Sequence, residues 1–237
     1  VSRPAAGQGL CLAIDTSTRT SIVAVGRVEV AGGPADVLAI SRRVVAHRHG
    51  SHLLEQIDET LEAAGVSLDD VTAVVVGSGP GSFTGLRVGL ATAKTVAHVR
   101  GLPLVGVRSS DALRHVAVAT AGVPPVVAVV LPAGAHDHYL VRAAEDPVLV
   151  PPGGLQDALA GAAVLAVDMD AALLGPAAAA LGEAAVAGLP AALLAMAAER
   201  LAAADRDDPA ELVPAYVALP RGVRRGAEEL GWSPDLR

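Results

Sequence analysis

The chain has 237 residues, 52% of them apolar and 2% aromatic, with a formal net charge of −7 and a pI near 5.4. That composition excludes a disordered chain and leaves room for one large domain or two small ones. An acidic chain so poor in aromatic side chains is badly equipped to hold nucleic acid unaided, because such binding needs cationic patches and stacking platforms.

Leu10–Ile14 reads as a short strand closed by the polar turn Asp15-Thr16-Ser17-Thr18. Cys11, the lone cysteine, lies in this run; it is expected to be a buried core thiol, and a chain without disulfides suits a reducing cytoplasm. Ser21–Val30 and Val37–Ala46 continue an antiparallel meander, with a turn at Gly32-Gly33-Pro34. Ser51 is expected to cap a helix with the core stripe Leu54, Ile57, Leu61 and Ala64; Leu53, Gln56 and Thr60 form a second stripe beside it. Val71–Val76 is a strand, the glycine-rich loop GSGPGS follows, and Phe83–Val99 is a helix capped by Ser82. A strand at Pro103–Val107 and a helix at Ser110–Ala119 complete the order β-β-β-α-β-α-β-α.

Residues 121–219 read as a weaker copy: a hairpin of Val126–Leu131 and His138–Ala143, a strand Val148–Val150, a helix Leu155–Ala160, a strand Val164–Val167 and Ala-rich helices. The apolar stretch Ala171–Ala198 is interrupted by Pro176, Gly182, Glu183, Gly188 and Pro190, so it reads as soluble helices joined by turns rather than a membrane span. The start VSRPAAGQG has no apolar core of a signal peptide, and residues 220–237, with Trp232, read as a flexible tail. By analogy of element order, the expected architecture is α/β: two ribonuclease H-like (actin-like ATPase) lobes, residues 1–120 and 121–219, with mixed sheets flanked by helices and the second lobe reduced and divergent.

Three features look like chemistry. The loop at Gly77–Gly89 resembles a phosphate loop but fits neither G-x-x-x-x-G-K-[ST] nor G-x-G-x-x-G, and the one lysine, Lys94, lies far past it. Asp15, Thr16 and Ser17 match the first phosphate turn of actin-like ATPases, but the corresponding place in the second half reads Leu131-Pro132-Ala133-Gly134, without a carboxylate. His47, His49 and His52 mimic a metallo-hydrolase motif, with Ser51 where a second-metal aspartate would stand, and His115 and His136-Asp137-His138 add no partner motif. Neither a catalytic set nor a metal site is expected from these.

AIDTST (Ala13–Thr18), HGSHLLEQID (His49–Asp58), VVVGSGPGSFTGLRVGLATAKTVA (Val74–Ala97) and LPLVGVRSSDAL (Leu102–Leu113) together resemble the TsaB family, also called YeaZ. LVPAYVAL (Leu212–Leu219) loosely resembles that family's closing segment. The resemblance implies a non-catalytic subunit that binds and activates the catalytic paralogue TsaD in N6-threonylcarbamoylation of adenosine 37 of tRNAs reading codons that begin with A. It implies a P-loop ATPase partner, TsaE, and ATP and metal in the partner subunits rather than in this chain. It also implies tRNA met only through the complex, a possible homodimer, and a cytoplasmic location. The expected partner surface comprises Leu53 and Gln56 on the first helix and Ser82, Phe83, Thr84, Arg87 and Leu90 around the second, with Gly85 and Gly89 letting helices approach. The alternatives are an independent hydrolase, glycoprotease-like or metal-dependent, and a residual nucleotide-binding module centred on Asp15.

Overall fold

The computed structural model describes residues 8–29, 35–44, 49–122, 127–134, 136–159 and 162–217. His47, the Gly32–Pro34 turn and the tail with Trp232 lie outside them.

Strands β1 (Gln8–Asp15), β2 (Thr20–Glu29) and β3 (Asp36–Val44) form the expected meander. Strands β4 (Ala73–Gly77) and β5 (Leu104–Val107) then add in parallel, giving a five-stranded sheet in the order β3-β2-β1-β4-β5. Both faces of this sheet are covered, which explains why β1 and β4 are continuous apolar runs instead of alternating ones. Leu10, Leu12, Ile14, Val74 and Val76 face one side, and Cys11, Ala13, Ala73 and Val75 the other. Burial pushes the Cys11 thiol up to about 12, so it is an inert part of the core.

The first side is closed by α1 (His49–Ala63) and α2 (Phe83–Arg100), through Leu53, Ile57 and Leu61 of α1 and Leu90, Ala93 and Ala97 of α2. Gly101, at φ 63, ends α2 in the left-handed conformation that glycine adopts without strain. The second side packs on α3 (Ser109–Ala121) and on α6 (Pro176–Ala202).

A second sheet is built from β6 (Ala128–Ala133), β7 (Asp137–Val141), β8 (Val148–Val150) and β9 (Val164–Ala166), in the order β8-β7-β6-β9. This is the first sheet's arrangement without its last strand, with β6–β9 parallel as β1–β4 is. Val129, Leu131 and Leu165 face α3 and α6, so those two helices lie between the sheets. The outer face packs on α4 (Leu155–Ala158), with Leu174 of the short α5 (Ala171–Leu174) beside it.

The Ala-rich stretch departs from expectation. Gly175 and Pro176 do separate α5 from α6, but Gly182, Gly188 and Pro190 lie inside one continuous helix of 27 residues. Tertiary packing overrides the breakers. A Cβ at Gly182 would stand 1.8 Å from the Ala166 carbonyl oxygen, and one at Gly188 would stand 2.5 Å from Val116 Cγ1, so both glycines are points of close approach. Pro190 leaves the Val186 carbonyl without its usual helical donor, and next to it Arg42 Nη2 donates to the Ala187 oxygen at 2.6 Å. By length and composition α6 is apolar enough to cross a bilayer. Its buried face, with Leu189, Leu193, Leu194 and Ala197, packs between the two sheets.

Candidate functional site: the first hairpin turn, the glycine loop and the outer helices

Asp15 ends β1 and is fully buried. Its Oδ1 accepts from the Ser17 amide at 2.8 Å and from Ser17 Oγ at 2.7 Å. Its Oδ2 accepts from Ser109 Oγ at 2.6 Å, and Ser109 Oγ in turn accepts from the Gly79 amide at 3.1 Å. The carboxylate is thus shared among the hairpin turn, the glycine loop and the start of α3. Burial raises its pKa; the Ser109 and Ser17 hydrogen bonds pull it back, and the nearby Asp168 adds to the rise. Asp168 follows β9 with φ 57, and its Oδ2 accepts from the Arg19 amide at 2.5 Å, which ties the first hairpin to the second sheet.

The glycines between Gly77 and Gly89 serve the same junction. Gly77, Gly81, Gly85 and Gly89 recur at every fourth position, and each abuts residue 15, 16 or 17. A Cβ at Gly77 would lie 1.8 Å from Asp15 Oδ2, at Gly81 2.1 Å from the Ser17 carbonyl oxygen, at Gly85 2.0 Å from the Thr16 carbonyl oxygen, and at Gly89 2.2 Å from Thr16 Oγ1. Hydrogen bonds run through these gaps: Thr16 Oγ1 donates to the Gly85 oxygen and the Ser82 amide donates to the Ser17 oxygen, each at 2.7 Å. The loop receives the chain's own backbone where a phosphate loop would receive an anion. Gly85 and Gly89 were expected to admit a partner helix; both are buried against the first hairpin turn instead.

These residues do not fit an actin-type metal–phosphate clamp. Both Asp15 oxygens are taken by serine donors, and β6 ends in Pro132 and Ala133 without a carboxylate. Among the described residues no three His, Cys, Asp or Glu side chains converge. His52 is exposed and lies 3.6 Å from Glu55, and His115 is exposed on α3.

A pH test follows from Asp15. Folding raises its pKa, so the native state binds this proton more tightly than the unfolded chain does. The stabilisation is therefore present at and below the ordinary aspartate pKa and is lost as pH rises toward the raised native value. Asp15→Asn has no such proton, so its unfolding free energy should lack that decline. Denaturant melts stepped between about pH 3 and 7 measure the difference, and parallel profiles for the two proteins would refute it.

The residues expected at a partner surface divide. Ser82 Oγ accepts from the Gly85 amide at 3.2 Å and caps α2 as expected. Thr84 and Arg87 are exposed and Phe83 is half-buried. Leu53, Gln56 and Leu90, in contrast, are interior. Gln56 is bonded on three sides: Nε2 donates to the Ser21 and Ser41 carbonyls, each at 3.1 Å, and Oε1 accepts from Ser21 Oγ at 2.9 Å. Thr60 is buried too, bonded to the Gln56 carbonyl. Of the expected core stripe on α1, Ile57 and Leu61 are buried as expected but Leu54 is 65% exposed, and Leu53, Gln56 and Thr60 of the expected outer stripe are buried beside them. Two polar residues within the inward face hid its register from the apolar pattern.

The outer faces of α1 and α2 are opposite in charge. The α1 helix carries Glu55, Asp58, Glu59 and Glu62 without Lys or Arg, with Arg43 of β3 paired to Glu55 and Glu59; α2 carries Arg87, Lys94 and Arg100 without Asp or Glu, with Arg100 paired to Asp69. At the start of α2, Arg87 stacks over Phe83 with Cζ 3.9 Å from the ring centroid, and its Nε donates to the Tyr216 hydroxyl at 3.1 Å. Tyr216 and Ser109 were not foreseen as site residues. The Ser109 contact had no local signal, whereas the glycine spacing of four was a visible one.

Solved structures first define the class. The chain superposes on YeaZ from Pseudomonas aeruginosa with a TM-score of 0.63 at 22% identity, covering 88% of this chain and 99% of that one. Its fold is therefore that of YeaZ, an α/β arrangement of mixed sheets flanked by helices. A family model described as TsaD, tRNA N6-adenosine threonylcarbamoyltransferase, matches residues 40–231, and the chain belongs to that family as a TsaB-like member. It is 35% identical over 106 residues to the tRNA threonylcarbamoyladenosine biosynthesis protein TsaB of Haemophilus influenzae, covering 45% of this chain and 42% of that protein. It is 32% identical over 146 residues to a tRNA N6-adenosine threonylcarbamoyltransferase of Geotalea uraniireducens, covering 56% of this chain and 42% of that protein. An uncharacterized protein of Mycobacterium leprae is 40% identical over 133 residues, covering 56% of this chain and 35% of that protein. The chain thus matches less than half the length of each of these three relatives.

Proposed function

We propose that this chain is a non-catalytic subunit that binds and activates the catalytic paralogue, TsaD, in the N6-threonylcarbamoylation of adenosine 37 of tRNA. The observation that carries the reading is the junction at Asp15. Asp15, the carboxylate that would act through a metal in an active relative, is bonded to Ser17 and Ser109, and residues 15–17 fill the space over the glycine loop. Such a junction is a rigid support rather than a reaction centre, and the helix it supports is α2.

In this reading α1 and α2 meet the corresponding helices of the paralogue. Asp58 and Glu62 on one helix and Arg87 and Lys94 on the other favour a crossed pairing, which also admits a homodimer through the same surface. ATP and metal belong to TsaD and to the ATPase TsaE, tRNA is met through the complex, and the work is cytoplasmic. Within the proposed surface, Ser82 acts as the cap, Phe83, Thr84 and Arg87 as contacts, and Leu54 replaces Leu53 and Gln56 on α1. The test is reconstitution: the catalytic subunit, ATPase, tRNA and threonylcarbamoyl donor should modify tRNA only when this chain is added.

A further inference from the structure

We infer that the segment Asp207–Tyr216 is a strap that fixes Arg87 as a carboxylate anchor for the partner. This rests on the reading that the α1–α2 layer is the partner surface. The segment leaves α6 and returns across the first sheet's edge. The Asp207 amide donates to the Leu104 oxygen at 2.8 Å, and Asp207 Oδ2 accepts from the Gly106 amide at 2.7 Å. Arg200 Nη1, near the end of α6, holds Asp207 at 2.9 Å and the Gly106 oxygen at 2.8 Å. Leu212 lies over Gly106, where a Cβ would come within 2.5 Å of its Cδ1. The Ala215 amide donates to the Ser78 oxygen at 2.8 Å, in the glycine loop itself. Tyr216 is thereby delivered to the first turn of α2.

The chain holds one Phe, one Trp and two Tyr. A protein so short of aromatic side chains would gain most by burying them, yet Phe83 and Tyr216 meet at the surface, with ring centroids 5.4 Å apart and Tyr216 46% exposed. Aromatic and arginine side chains are the residue types that anchor protein interfaces. The geometry around Arg87 says what they anchor. One face of the guanidinium lies on Phe83, and Nε is given to the Tyr216 hydroxyl. Nη1 and Nη2 have no partner among the described residues, and α2 has no acidic residue to claim them. The fork is held by its stem, with its outer edge unpaired. Planar guanidinium nitrogens in that state match a carboxylate bidentately, which a lysine does not. The partner group is therefore an Asp or Glu side chain on the facing surface of the catalytic paralogue. Tyr216 acts through Arg87 and is a positioning residue.

Calorimetric titration of the catalytic paralogue with the full chain tests this. Tyr216→Phe keeps the ring and removes the hydroxyl; it should weaken binding about threefold to tenfold, the cost of ordering one long side chain on association. Arg87→Lys should weaken it by at least as much. In an Arg87→Ala background, Tyr216→Phe should cost nothing further, because the hydroxyl would have nothing left to hold. Native-like binding by Tyr216→Phe, or an equal loss with and without Arg87, would overturn the strap while leaving the partner reading intact. Absence of binding by the native chain would overturn both. The melting temperature of Tyr216→Phe, expected to be unchanged, separates lost positioning from lost folding.

Discussion

Gly85→Ala should destabilise the protein by about 3 kcal/mol, the upper end of what forcing an extra carbon into a packed site costs. In a chain of this size that lowers the melting temperature by roughly 6–12 °C. The added Cβ would stand 2.0 Å from the Thr16 carbonyl oxygen, a backbone atom in the turn that also holds Asp15 and Ser17. A flexible side chain could swing away; a carbonyl fixed between two strands cannot move without pulling the hairpin off α2. The Thr16 Oγ1 bond to the Gly85 oxygen, at 2.7 Å, would be lost in the same movement. Gly153→Ala is the control: nothing lies within 4 Å of its Cβ position, and a change within about 0.5 kcal/mol is expected. Denaturant unfolding of the two variants side by side measures the difference. Equal stability would mean that the glycine loop does not grip the first hairpin turn.

The second large effect separates neighbours on α1. Leu53 is 2% exposed and packs beneath α1 against the first sheet; Leu53→Ala should cost about 3 kcal/mol through lost burial and the cavity left behind. Leu54, 65% exposed, faces outward, and Leu54→Ala should leave stability within about 0.5 kcal/mol of native. If α1 is partner surface, the order reverses for binding. Leu54→Ala should then weaken capture of the catalytic paralogue roughly fivefold while the fold is intact. Unfolding and binding titrations on both variants check this. A stability loss on Leu54 instead of Leu53 would place α1 in the other register.

Much of this architecture is legible in the sequence. The element order, a meander followed by alternating helices and strands, marked a mixed sheet with helices on its faces, and the glycine loop marked a tight turn before a helix. The register of α1 was not legible, because Gln56 and Thr60 are polar yet face inward, satisfied by Ser21, Ser41 and the helix's own carbonyls. Nor was the continuity of α6, since Gly182 and Gly188 look like breaks to a propensity argument but are needed for contact with Ala166 and Val116. The Asp15 turn is legible as a polar turn closing β1 whose sequence matches a phosphate turn. Its actual occupation depended on Ser109, which is 94 residues away in sequence and is brought close only by the fold. Tyr216 reaches Arg87 across 129 residues for the same reason.

In the proposed role this chain supports a reaction it does not itself perform. That role is decided by tRNA modification in a reconstituted mixture of catalytic subunit, ATPase, donor and tRNA, with and without this chain and with Arg87→Glu. The expected result is modification with the native chain, little without it, and a strong loss with Arg87→Glu at unchanged melting temperature. Full modification in the absence of the chain, or turnover by the chain alone, would contradict it.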